Sequence, residues 1–242
     1  MSVLSFGELS ISRHSLAEVV DVIDQQIHQP GFQEVVTLNT VMFGVALSSP
    51  KLMAQLRDSA LITADGKGII GAIRLLGLGS VPQVTGVGLL PVLFERPYSF
   101  VLYGATPAVM ARLCGHIQTH YPNAQIKGAS HGFLSVEEEA ELIDQIGVLR
   151  PDIVLVAQGY PKQSLFIDQL RRRLSTGVGI GVGGAFDVLS GYQRRAPSWI
   201  CAMGLEWLYR MIGQPRRFIQ LLDMFRVFSW VLAQKWGRGA VR

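Results

Sequence analysis

Cysteine is scarce in this sequence. Only Cys114 and Cys201 occur in 242 residues, far apart and without ligand spacing, so neither a disulfide framework nor a zinc site is suggested. A reducing cytoplasm is the natural setting. The first fifteen residues lack a basic stretch followed by a long apolar one, so no secretory signal is expected. A D-x-D acidic pair and a P-loop are both missing, which lowers the weight of a metal-chelated diphosphate and of an NTPase. No nucleophile elbow of the hydrolase type is expected either.

Apolar residues, by contrast, are plentiful. They make up 49% of the chain, enough for one large domain or two small halves around a substantial core. Charge is unevenly placed. From residue 194 to the end there are nine Lys and Arg against two acids, a net of +7, whereas the preceding part carries −3. A basic tail on a mildly acidic body points to an anionic partner for the tail, whether membrane surface, phosphate or nucleic acid.

Apolar β-rich runs alternate with segments of helical period, the pattern of parallel βαβ units. The expected strands are residues 34–39, 60–65, 99–104, 124–130, 152–159 and 178–184. Helices are expected over 15–28, 40–49, 66–77, 106–121, 135–149 and 161–174, several opening on Ser, Thr or Pro, which cap or start helices. Pro82, Pro91 and Pro97 break the rhythm and suggest a seam between two Rossmann-like halves sharing one sheet. The expected domains are a catalytic body over 1–193 and an appendage over 194–242. Ligands in open parallel sheets collect beyond the carboxyl ends of the strands, which draws weight to Asn39, Asp65, Gly104, Gln158 and Gly183.

The tail from residue 205 to 236 is helical in period, basic and aromatic. Arg216, Arg217, Gln220, Asp223, Gln234 and Lys235 fall on one side, and Phe218, Leu221, Leu222, Phe225, Phe228 and Leu232 on the other. Met224, Val227 and Val231 breach the polar side. The longest uncharged run in this stretch, residues 227–234, falls far short of the roughly 18 needed to cross a bilayer. A helix lying in the membrane surface fits better.

Single motifs leave alternatives open. Residues 179–184, Gly-Ile-Gly-Val-Gly-Gly, satisfy G-x-G-x-x-G, but the first glycines fall inside a strand, and the acid about twenty residues on is Glu206, not at a strand end. His116 and His120, four apart on a helix, read as solvated residues. Asp65 before Gly66 is either a turn residue or a group facing a ligand.

Together, however, Leu-Asn-Thr at 38–40, Ile-Thr-Ala-Asp-Gly-Lys-Gly-Ile-Ile at 62–70, His-Gly-Phe at 131–133, Gly-Tyr-Pro-Lys-Gln-Ser at 159–164, the run GVGGAFDVLSG at 181–191, and the tail motifs RRAPSW and GLEWLYRMIGQPRR resemble the WecG/TagA/CpsF glycosyltransferases in order. The resemblance implies an inverting transferase that moves a sugar, typically N-acetylmannosamine or its uronic acid, from a UDP-sugar to a polyprenyl-diphosphate-linked glycan. It implies an α/β, Rossmann-like body whose C-terminal helical appendage completes the site on the inner face of the membrane. No metal, cofactor or nucleic acid is implied, and a homo-oligomer stays open. By position, Asp65 matches the family's catalytic acid, and Thr37 and Asn39 its pocket. Gln163 and Asp187 match donor-side positions over a floor of Gly183 and Gly184, and Arg195, Arg210 and Arg217 match the basic tail motifs. Phe133 stands where the family often has Tyr, Ser164 where it often has Glu, and Lys67 where it usually has an apolar residue, departures that bear on donor identity.

The chemistry is coherent from below. A carboxylate takes the proton of an attacking hydroxyl, and the charge on departing UDP has to be met by preorganised donors such as helix N-termini and arginines. Two other readings remain at this level: a non-catalytic nucleotide-sugar-binding or scaffold protein, and an NAD-dependent oxidoreductase using residues 179–184.

Overall fold

The computed structural model describes residues 2–193 and 220–239. At its centre is a six-stranded parallel sheet of β3 (Gln33–Leu38), β4 (Leu61–Ala64), β5 (Ser99–Gly104), β6 (Gln125–Ser130), β7 (Ile153–Ala157) and β8 (Val178–Gly181). Each expected strand is present. The spatial order β4-β3-β8-β7-β5-β6 shows how the halves meet: β4 and β3 form one group, β7, β5 and β6 the other, and the last strand is inserted between them. The proline-rich seam is the crossover from one group to the other. It contains a helix that the sequence reading did not anticipate, α5 (Gly86–Phe94), whose Thr85 cap accepts from the Gly88 amide and which tolerates Pro91 while burying Leu89, Leu90, Leu93 and Phe94. An antiparallel hairpin, β1 (Val3–Phe6) with β2 (Leu9–Ser12), and two short helices, α3 (Pro50–Arg57) and α9 (Ala185–Leu189), are likewise additions.

One face of the sheet is covered by α1 (Leu16–Ile27), α5, α6 (Pro107–His120) and α9. Helix α1 starts at a capping box in which the Ser15 amide donates to Glu18 at 2.7 Å, and Val19, Val20, Ile23 and Ile27 recur at helical spacing to form its buried stripe. These join Val35, Ile180, Leu155 and Leu102 in one continuous core. The other face carries α2 (Thr40–Leu47), α4 (Lys67–Leu75), α7 (Val136–Leu149) and α8 (Lys162–Arg171), and its core is in two parts. The division falls at β8, which presents only Gly179 and Gly181 to this side. A Cβ at Gly179 would stand 2.8 Å from the Phe32 ring and 2.9 Å from Ile167, so α8 packs directly on the strand backbone.

The C-terminal helix, α10 (Gln220–Gly239), docks on α2 and against the hairpin. Its residues Val227 and Val231 are 3% exposed, and the Trp230 ring packs edge-on to Phe6 at 5.2 Å and Phe43 at 5.1 Å. At Gly44 the α10 backbone sits so close that any side chain would meet the Asp223 carbonyl. This reverses the expected facing. The apolar residues that breach the polar side form the docking face, and Leu222, Phe225, Phe228 and Trp236 are exposed. Among the described residues no helix is long and apolar enough to cross a membrane. The expected boundary at residue 194 opens the stretch 194–219, which lies outside the described residues.

The two ends of the sheet are finished differently. Beyond β4, the Gln83 backbone adds a single parallel bridge at Ala64. At the other end β6 is half-exposed along its length, and Lys127 turns its ammonium to the Leu149 and Arg150 carbonyls, both at 3.2 Å, at the end of α7.

Candidate active site

Because the strands are parallel, their carboxyl ends share one edge, and the chain leaves that edge toward alternating faces. It turns from β3 to α2 and from β7 to α8 on one side, but from β8, between them, to α9 on the other. Such reversals open a crevice in which ligands bind. The register fixes what lines it. Leu38 pairs with Ala64, so Asn39 lies beside Asp65, and the pairing of Gly181 with both Val36 and Val156 sets Gly183 between Leu38 and Gln158. At about 4.8 Å per strand, Asp65 and Gln158 lie roughly 14 Å apart across this row.

Asp65 is half-buried, and its amide donates to the Leu38 carbonyl at 2.8 Å, which locks the end of β4 to β3. Two residues below, buried Thr63 shares its hydroxyl between the Val36 and Val84 carbonyls at 3.4 and 3.3 Å. Gly66 then turns the chain with φ +90 into α4, and apart from its two chain neighbours no atom of the described residues lies within 4 Å of where its Cβ would be, so the turn is open on that side. Lys67 opens α4 and is exposed. Asn39 caps α2, its Oδ1 accepting from the Met42 amide at 3.0 Å.

Thr37 and Gln163 lie beneath this surface. Thr37 is 5% exposed and donates to the Gly181 carbonyl at 3.5 Å, tying β3 to β8. Gln163 is 2% exposed, and its Oε1 accepts from the Gly183 amide at 3.1 Å, so it holds the turn that forms the floor. Gly183 is left-handed at φ +49, Gly184 precedes α9, and Asp187 occupies the first turn of that helix. Phe133 is 70% exposed at the opposite rim. Its loop leans from β6 toward β7, because the Gly132 amide donates to the Ala105 carbonyl at 2.8 Å and Gln158 donates to the Gly132 carbonyl at 3.0 Å. The structure thus brings Asp65, Asn39, Gly183 and Gly184 to one crevice and sets Thr37 and Gln163 as its support. Arg195, Arg210 and Arg217 lie outside the described residues.

Sequence reasoning gave weight to Gln158 as a strand-closing residue but did not assign its bracing of the Gly132 loop. It also passed over Glu34, buried at 1% exposure in β3. Burial pushes the Glu34 carboxyl up to about 7, against the lowering effects of the Ser164 hydrogen bond and the Arg171 guanidinium. Tyr103 is likewise raised by burial and by its 2.7 Å hydrogen bond to Glu139.

Two sequence patterns acquire structural explanations. The glycines at 179 and 181 stand within β8, and Gln163, Phe32 and Ile167 fill the space their side chains would take. That is the role of close packing and not of a dinucleotide-binding turn. Residues 128–132, Gly-Ala-Ser-His-Gly, carry G-x-S-x-G spacing, yet Ser130 ends the edge strand β6 without the positive φ of a strained elbow. His116 and His120 stack at 4.3 Å on α6, and among the described residues no group of three or more His, Cys, Asp or Glu is placed to hold a metal ion.

Residues 4–240 match the model of the Glycosyl transferase WecG/TagA/CpsF family. A protein of Bacillus spizizenii named N-acetylglucosaminyldiphosphoundecaprenol N-acetyl-beta-D-mannosaminyltransferase is 32% identical over 202 residues, covering 82% of this chain and 78% of its own. A Bacillus subtilis protein of the same name is 32% identical over 226 residues, covering 91% and 88%.

Proposed function

We propose, from the premise that the chain belongs to the WecG/TagA/CpsF glycosyltransferase family, that it transfers an N-acetylmannosamine-type sugar from a UDP-sugar to a polyprenyl-diphosphate-linked glycan. It is a hexosyltransferase by family; donor, acceptor and stereochemistry are the proposal. The observation that carries it is the placement of Asp65 at a strand end beside Asn39, which in turn adjoins the Gly183–Gly184 turn at the sheet's reversal.

In this reading the acceptor hydroxyl attacks the anomeric carbon as Asp65 takes its proton. The new carbon–oxygen bond forms while the bond from that carbon to the β-phosphate oxygen breaks, and UDP leaves with the electron pair. One displacement inverts the centre, and an α-linked donor then gives a β-linked product, the linkage named for both relatives. Helices α2, α4 and α8 begin at this edge and aim their positive ends toward the developing charge. Arg195, Arg210 and Arg217 are the further cations assigned to the leaving diphosphate, with no metal or cofactor.

The exposed stripe of Leu222, Phe225, Phe228 and Trp236, flanked by Arg226 and Lys235, supports contact of α10 with an anionic membrane surface on the cytoplasmic side. A lipid acceptor held in that surface would be met there.

The test uses UDP-N-acetylmannosamine and a short-chain lipid diphosphate bearing N-acetylglucosamine, with UDP release and product linkage as readouts. Asp65→Asn is expected to lower transfer about 10²–10⁴-fold while UDP still binds. Transfer by that variant at the normal rate would remove Asp65 from the role of base.

A further inference from the structure

The first turn of α8 is tethered to three other elements, one of them through a buried acid. Pro161 at its N-cap provides no side-chain cap, so the turn depends on what its own residues reach. Gln163 reaches the β8–α9 turn, accepting from the Gly183 amide at 3.1 Å. Ser164 reaches the other way, donating its hydroxyl to Glu34 Oε1 of β3 at 2.9 Å, and its carbonyl accepts from Gln55 of α3. Glu34 is 1% exposed, and its second oxygen lies 3.8 Å from the Arg171 guanidinium without a hydrogen-bond partner among the described residues. The Tyr160 hydroxyl, in the turn entering α8, is likewise buried without one.

An acid this buried is costly to keep unless it fixes something. The neighbouring contacts show what that is. Gln163 and Ser164 are adjacent on one turn, so wherever Glu34 holds Ser164, Gln163 is set against Gly183. Both β8 residues that could have packed there, Gly179 and Gly181, lack side chains, and a Cβ at Gly181 would stand 2.3 Å from the Gln163 amide. Phe32 and Ile167 take the space at Gly179, whereas at Gly181, nearer the turn, the filling side chain is the polar Gln163.

We propose that Glu34 is a positioning residue for donor binding, acting through Ser164 and Gln163 to hold the Gly183 turn that floors the pocket. This rests on the reading of that pocket as the UDP-sugar site. An acceptor oxygen at residue 34 is what the linkage requires, and its charge is not.

The experiment compares the wild-type chain with Glu34→Gln, Glu34→Leu and Ser164→Ala, measuring UDP affinity by titration and hydrogen exchange at the Gly183 amide. Glu34→Leu and Ser164→Ala are expected to weaken UDP binding about three- to tenfold and to speed exchange at Gly183. Glu34→Gln, which keeps an acceptor for Ser164, is expected to stay within twofold of wild type in both. A variant that merely loosened the fold would speed exchange throughout the β8 strand, and Gln would not rescue it. Wild-type-like binding and exchange in Glu34→Leu would overturn the proposal while leaving the site intact, as would global loosening that Gln fails to rescue. Failure of the wild-type chain to bind UDP would overturn the reading of the site and the proposal with it.

Discussion

On the face covered by α1, α5, α6 and α9, apolar side chains run without interruption from Ile27 to Phe186. On the opposite face they form two cores, parted by the bare backbone of β8 and by Glu34, Gln163 and Ser164. Both faces cover the same strands, but alternate residues serve each face, and β8 gives Val178 and Ile180 to the continuous core and only Gly179 and Gly181 to the divided one. The continuous core supplies the hydrophobic stabilisation, whereas the divided face gives up apolar burial where a hydrogen-bonded linkage sets the turn under the crevice. Stability and site geometry therefore respond to different substitutions.

The sharpest test of that separation is Leu155→Ala on the continuous face. Leu155 is fully buried, and its loss should cost about 2–5 kcal/mol in urea unfolding without changing UDP affinity. A large affinity change would show that the faces are not separable. On the divided face, Glu34→Gln should act through pH. Burial pushes the native carboxyl up to about 7 from the 4.5 of a solvated glutamate, so the native state binds the proton more tightly than the unfolded chain. The associated stability is complete below about pH 4.5 and is lost as pH rises through 7, a swing of roughly 3 kcal/mol. Unfolding midpoints taken across pH 4.5–8 should slope less for the Gln variant, and parallel slopes would contradict the shift.

Gly181→Val comes next. Its side chain would displace Gln163, and we expect about 1–3 kcal/mol of destabilisation from overpacking together with at least tenfold weaker UDP binding. Weakened folding with unaltered binding would detach Gln163 from the floor. The smallest effect belongs to the rim of the continuous face, where the Tyr98 hydroxyl donates to Asp24 at 2.9 Å. Tyr98→Phe should cost about 0.5–1.5 kcal/mol by thermal or urea unfolding, and a greater loss would mean that polar contacts support this face too.

The strands at the heart of the fold could be read from the sequence because each is an apolar run closed by a residue of another kind, such as Asn39, Asp65 or Gln158. The place of Asp65 at the end of a strand was legible for the same reason, while its role as base comes from the ordered motifs and is part of the proposal. The facing of α10 was not, because charge marks a solvent side only if the partner surface is apolar and smooth. Here Gly44 admits the helix backbone, and Asp223 pairs with Arg226 on its own helix close to the interface. Helix α5 was hidden by Pro91, which the fold accommodates within a largely buried apolar segment. Glu34 was hidden by its type: next to Gln33 at the start of a strand, a glutamate reads as solvated, and its partners Ser164 and Arg171 lie more than a hundred residues away in the sequence.

The finish of β6 bears on how copies of the chain meet. An open sheet has two ends at which a neighbour's strand can be added, and long bare edges invite such growth. At one end Gln83 already occupies the start of the next position. At the other, Lys127 places a cation on the strand itself, held by the last carbonyls of α7. A neighbour's backbone would have to approach that charge to extend the sheet. Self-association through strand addition is thus discouraged at both ends, which leaves helical faces as the surfaces through which copies could meet.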